Sequence, residues 1–162
     1  MHTLHWIAVQ ADSIKEAESS VISQLEDQDN RWWDWFDTDI GGRWRDNAKT
    51  TKAQYSDECN AVFERIVNSR KAEINKCMES IDFGAIQSLI NNYSGDAVQY
   101  PESMPIWRLG NVAKLLGGDD YFCDSYFYDL ESWSTELNPL RERMADIKTK
   151  DNQYLVPIDF HF

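Results

Sequence analysis

The feature that most constrains this chain is its first strand-forming run. Residues Thr3 to Gln10 are rich in β-branched and aromatic types and predict a strand. Side chains alternate across a strand, so Leu4, Trp6 and Ala8 point one way and His5, Ile7 and Val9 the other. Both sets are partly apolar, as expected of a central strand rather than one with a wet face. Ser13 and Glu16 then form a capping box, in which a hydroxyl serves an orphan amide and a carboxylate reaches back. Ile14, Ala17, Val21, Ile22 and Leu25 fall on one face of the helix that follows.

Further elements follow from the same periodicities. A short second strand is expected around Trp33 to Asp37, ending before the Gly41-Gly42 turn, with Arg45 to Tyr55 irregular. Phe63, Ile66, Val67, Ile74, Cys77, Met78 and Ile81 keep a helical stripe from about Asp57 to Ser80. Asp82 can cap a short helix, Phe83 to Asn91. Asn92 to Pro105 is expected as loop, and Ile106 to Leu116 as a helix that stops at Gly117-Gly118. Tyr121 to Leu130 carries a run of aromatics and predicts a strand, and Asn138-Pro139 opens a helix to about Lys148. The last strand is Tyr154 to Phe162, where Pro157 cannot donate to a ladder, so a sheet edge or a bulge is expected.

The order is β-α-β, a helical block, then β-α-β. It predicts one α+β domain over 1–162, with a ferredoxin-like antiparallel sheet of two β-α-β halves and helices on one face. The block at 57–116 is expected as a helical insertion beside that sheet.

Composition narrows the function classes. The formal charge is −12, from 28 acids against 16 bases, which argues against direct nucleic-acid binding. Acidic residues gather in two sets: Glu16, Glu18, Glu26, Asp27 and Asp29, then Asp119, Asp120, Asp124, Asp129 and Glu131. The three cysteines, Cys59, Cys77 and Cys123, fit neither a disulfide framework nor a zinc site, and are expected as buried thiols. No signal-peptide pattern and no membrane-length apolar window occur, so the expected setting is intracellular and no membrane partner is implied. Neither a cofactor nor a metal is expected. Gly-x-Ser-x-Gly and the phosphate-loop pattern are also missing.

Two places carry candidate chemistry. In the first, four of the seven tryptophans fall within the thirteen residues Trp32 to Trp44, around a diglycine. Trp33, Asp34, Trp35, Gly41, Gly42, Arg43 and Trp44 form either a ligand pocket or a structural corner. As a pocket, glycine amides and Arg43 grip an anion beside stacking rings. As a corner, Arg43 pairs with Asp34 and the tryptophans close around them. The second place is Asp159 and His161, two apart on the last strand, with His5 on the neighbouring first strand. A histidine with a carboxylate can serve as a general base, and two histidines with an aspartate can bind a metal; the alternative is that Asp159 simply pairs with a basic neighbour.

The cassette Trp33-Asp34-Trp35-Phe36 with Ile40-Gly41-Gly42-Arg43-Trp44, and the ending Val156-Pro157-Ile158-Asp159-Phe160-His161, resemble a group of small bacteriophage-encoded proteins. Tyr126-Phe127-Tyr128-Asp129-Leu130 before Trp133 resembles that group's penultimate strand. The likeness covers both ends of the chain and leaves about Thr50 to Leu116 outside it. It implies a phage origin, hence the host cytoplasm, and a ferredoxin-like scaffold, and it assigns no activity. With the charge and the lack of a catalytic set, the leading expectation is a noncatalytic binder. It would inhibit or redirect a host protein, such as a nucleic-acid-binding or defence protein, through an acidic, aromatic surface. The alternatives are a nucleotide or small-anion sponge built on Gly-Gly-Arg-Trp, and a small enzyme using His161 and Asp159.

Overall fold

The computed structural model describes residues 2–28, 33–46, 48–117, 125–129 and 140–161, with 43, 125–129 and 140–143 described by backbone alone. The elements run β1 (His2–Gln10), α1 (Ile14–Glu26), β2 (Trp35–Asp37), a single 3-10 turn (Gly42–Trp44), β3 (Thr51–Lys52), α2 (Asp57–Glu79), α3 (Phe83–Asn91), α4 (Met104–Gly117), β4 (Ser125–Asp129), α5 (Leu140–Thr149) and β5 (Gln153–His161). The fold therefore mixes helix and strand, as the periodicities predict.

Antiparallel ladders join β1, β2, β3 and β5, with β5 as the hub, and β4 adds to β1 in parallel. The main order is β2-β5-β1-β4. Two features depart from the ferredoxin-like expectation. The second strand joins the outer side of the last strand, and the helices cover both faces of the sheet. Leu4, Trp6, Ala8 and Leu155 pack with Cys59, Val62, Phe63 and Ile66 of α2 and Ile147 of α5. Ile7, Val9, Val156, Ile158 and Phe160 pack instead with Ala17, Val21 and Leu25 of α1. The physical reason is visible in the strands: every residue from Thr3 to Val9 and from Gln153 to Phe160 is buried, so each face needs its own apolar layer.

The position of β5 corrects its expected edge placement, and the backbone explains how Pro157 is accommodated. The Asn152 carbonyl accepts from Ala11 on the β1 side, while the carbonyls of Gln153 and His161 accept from Ala53 and Asp34 on the other side. Successive residues of a strand direct their polar groups to alternate sides. The Pro157 nitrogen therefore faces away from β1, towards β2 and β3. Those two strands pair with residues 159–161 and 154–155 respectively, and no ladder partner stands opposite Pro157 there. The proline occupies a break in the outer ladder and removes no bond from the inner one.

Local signals behave as their chemistry requires. Ser13 accepts from the Glu16 amide, and the Glu16 carboxylate reaches the Asp12 amide, one residue before the cap. Ser56 caps α2 and Asp82 caps α3. Among the residues expected on the α1 stripe, Ala17, Val21 and Leu25 are buried while Ile14 is exposed. The 23 residues of α2 span about 35 Å at 1.5 Å per residue. Its buried residues all lie between Cys59 and Ile66, and it packs against α4, whose Arg108 donates to the Ser80 carbonyl at its C-terminal end. In turn α3 packs against α4, and α3 has no buried residue at all.

Candidate functional site

The aromatic cassette crosses the sheet edge and divides its rings between environments. Trp33 is buried on the α1 face, its ring centroid 4.9 Å from that of Phe160. Trp44 is buried in the opposite core, against α2. Gly42 adopts a φ of +58°, a conformation that L side chains rarely accept, and starts the turn that carries Trp44 inward. The diglycine thus turns the backbone sharply. Trp33 and Trp44 lie on opposite faces of the sheet and do not share a pocket. The Arg43 side chain lies outside the described residues, and with it the expected ion pair to Asp34.

Trp35 has a different role. In register, β2, β5 and β1 place Trp35, His161 and His2 side by side on one face. The Trp35 ring stacks on His161 with centroids 5.0 Å apart and planes 13° apart. His2 stands edge-on to both, at 5.4 Å from Trp35 and 5.0 Å from His161. Trp35 nevertheless remains 45% exposed.

Carboxylates surround this row. Asp159 is buried, with Oδ2 at 3.1 Å from His2 Nδ1. Asp34 is exposed, with Oδ2 at 3.6 Å from His161 Nδ1, too long for a hydrogen bond but close enough for an ion pair once the ring is protonated. Asp37 and Asp39 are exposed nearby in the chain.

His5 does not join this group, which corrects the expected His5–Asp159–His161 cluster. Residues directly opposite in an antiparallel ladder share a face. Leu4 is opposite Asp159, whereas His5 is opposite Ile158. His5 is therefore on the other side of the sheet, edge-on to Phe160 at 4.9 Å, with Nε2 at 3.0 Å from Thr3 Oγ1. Burial strips the hydration that an imidazolium needs and pushes its pKa down to about 3. The residue that replaces it in the cluster is His2. His2 shares the face of Leu4 by parity, and the β1–β5 register puts that face beside Asp159 and His161.

The break beside Pro157 opens a cavity of about 380 Å³. Glu18 and Ile22 of α1, Ile40, Arg45 and Lys49 of the connecting segment, and Pro157 contribute to its walls. Thr50 Oγ1 donates to Glu18 Oε1 at 2.7 Å across it, engaging the one carboxylate that α1 contributes to the walls.

The remaining expected features are placed as follows. Glu16, Glu26 and Asp27 are exposed and Glu18 is half-buried. In the second acidic set, Asp119, Asp120, Asp124 and Glu131 lie outside the described residues, as do Asp29 and Cys123. Cys59 and Cys77 are free thiols; burial pushes Cys59 up to about 11, against a smaller opposing pull from Lys148. Among the described residues, no three or more His, Cys, Asp and Glu side chains are arranged to hold a metal, and no helix is long and apolar enough to cross a membrane. Comparison with known proteins finds no matching family model, no matching curated protein and no matching solved structure.

Proposed function

We propose that this is a noncatalytic phage protein that binds a host protein and inhibits or redirects it, docking through the acidic, aromatic end of the sheet. The observation that carries the reading is Trp35, a large ring half in solvent yet held flat against His161 and braced by His2. Binding hot spots favour tryptophan, and a ring fixed before encounter loses little entropy on docking. Asp34 beside His161, and Asp37 two residues along β2 from Trp35, place negative charge at this end of the sheet, which suits a basic target such as a nucleic-acid-binding or defence protein. Asp159 is engaged by His2, and His161 lies beside Asp34.

The test is capture of a partner from phage-host lysate with tagged wild type, Trp35→Ala and Asp34→Asn/Asp37→Asn proteins, followed by affinity measurement on the purified pair. A stoichiometric partner whose affinity falls at least tenfold with Trp35→Ala, and whose association rate falls with the double variant, fits the proposal. Equal binding by all three proteins refutes it.

A second reading, a sponge for a nucleotide or small anion, draws on the cavity beside Pro157, where Arg45 and Lys49 line a space of small-ligand size together with the carboxylates of Glu18 and Asp39. This cavity is a different place from the expected Gly-Gly-Arg-Trp site. A nucleotide panel read by calorimetry, with Arg45→Ala/Lys49→Ala as control, separates it from the first.

A further inference from the structure

The helix α4 has two unlike faces. Val112 and Leu115 are buried, and Arg108 Nη1 donates to the Ser80 carbonyl at the end of α2 at 2.6 Å. These contacts fix which way the helix is turned. On the other side, Ile106, Trp107, Leu109 and Leu116 are 44%, 54%, 41% and 70% exposed. Gly110, Ala113 and Gly117 lie between them, also exposed. A Cβ built on Gly110 or Gly117 would meet nothing within 4 Å, so the helix backbone is open to close approach.

The spacing of this surface is specific. Ile106, Leu109, Ala113 and Leu116 follow one another at three, four and three residues, the a/d seam of a coiled coil. Such a seam is completed by a second helix. Three-four-three also reads the same in both directions, so the seam matches itself when reversed. About a two-fold at Asn111, Ile106 of one copy is level with Leu116 of the other, and Leu109 is level with Ala113. Large side chains meet at the ends, and a large one meets a small one beside the centre. Lys114, the one charged residue on this exposed side, comes within one residue's rise of Trp107 of the second copy on the same flank, where a cation meets an aromatic face.

We propose that the exposed face of α4 is a homodimer interface, an antiparallel pair of α4 helices related by a two-fold near Asn111. Charge selects a second copy as the occupant. A chain of net charge −12 repels itself over most of its surface. Residues 83–117 escape this, because Asp96 and Glu102 are balanced by Arg108 and Lys114, and α4 itself has no acid. Contact through α4 keeps the acidic remainder of the two copies apart. At these exposures, the four large side chains bring on the order of 400–500 Å² per copy, short of the roughly 800 Å² of a standard interface. The expected dimer is thus in the micromolar range and depends on concentration.

Sedimentation velocity on the full chain from low to high micromolar concentration tests this. The expected result is a mass rising from 18.9 kDa towards twice that value. Leu109→Glu and Ala113→Glu should each hold the chain at the monomer mass with unchanged far-UV circular dichroism. Ala113, a small exposed residue, carries the result if Leu109→Glu disturbs the fold. A Gly110→Cys variant should form a disulfide-linked dimer through residue 110 on mild oxidation. Monomer at every concentration overturns the proposal, and so does a dimer that survives both glutamates and fails to cross-link through position 110.

Discussion

Acidification should reveal one buried ring. His5 is 5% exposed and packed against Phe160, and burial holds its pKa near about 3 instead of 6.5. The folded protein therefore keeps this ring neutral through mild acid, while the unfolded chain takes up a proton below about 6.5. Because the unfolded state binds more protons, stability falls as pH drops from about 6.5 towards about 3, and the contribution is complete above that window. The slope approaches about 1.4 kcal/mol per pH unit, which integrates to about 2 kcal/mol between about pH 7.5 and about pH 5. Urea unfolding followed by tryptophan emission at the two pH values measures it, with His5→Phe as the comparison. Phenylalanine keeps an aromatic ring beside Phe160 and cannot titrate. His2, His161 and the carboxylates are common to both proteins, so the wild type should lose about 2 kcal/mol more than the variant on acidification. Equal pH dependence in the two proteins, or a His5 ring resonance that titrates near the ordinary histidine value, would refute the argument.

Two further expectations concern the core and the ladder. Phe63→Ala, in the core beneath α2, should cost about 3–5 kcal/mol in chemical denaturation, whereas Phe83→Ala, on exposed α3, should cost less than about 0.5 kcal/mol. Pro157→Ala should change stability by less than about 1 kcal/mol because its nitrogen faces the break in the outer ladder. Val156→Pro, one residue earlier, removes a bond to β1 and should cost about 3 kcal/mol or more. Equal thermal shifts for these two proline-site variants would contradict the assigned directions of the β5 backbone.

Much of the local structure was legible because its causes are local. Ser13 and Asp82 stand at helix starts since their oxygens satisfy amides three residues ahead. Ala17, Val21 and Leu25 declare a helical face by spacing alone. The place of the candidate site was partly legible too: Trp35 and His161 stood out by residue type, and they stack. His2 was missed because its membership depends on the pairing register, which a single strand does not encode.

What the sequence by itself determined is most of the elements, their order, and the central character of β1, because period, capping and turn chemistry act within a few residues; β3 (Thr51–Lys52), in a stretch expected to be irregular, exists only through its pairing with β5. Tertiary structure alone decided the rest. The register between β1 and β5 sent His5 to one face and His2 to the other, since a shift of one residue would exchange every side chain across the sheet. The break between β2 and β3 made room for Pro157 inside the sheet rather than at its rim. The packing of distant segments left α3 with no buried residue, and it buried Val112 and Leu115 of α4 while Ile106, Trp107, Leu109 and Leu116 stay exposed. Each of these outcomes depends on which distant segments meet, and a distance along the chain carries no information about that.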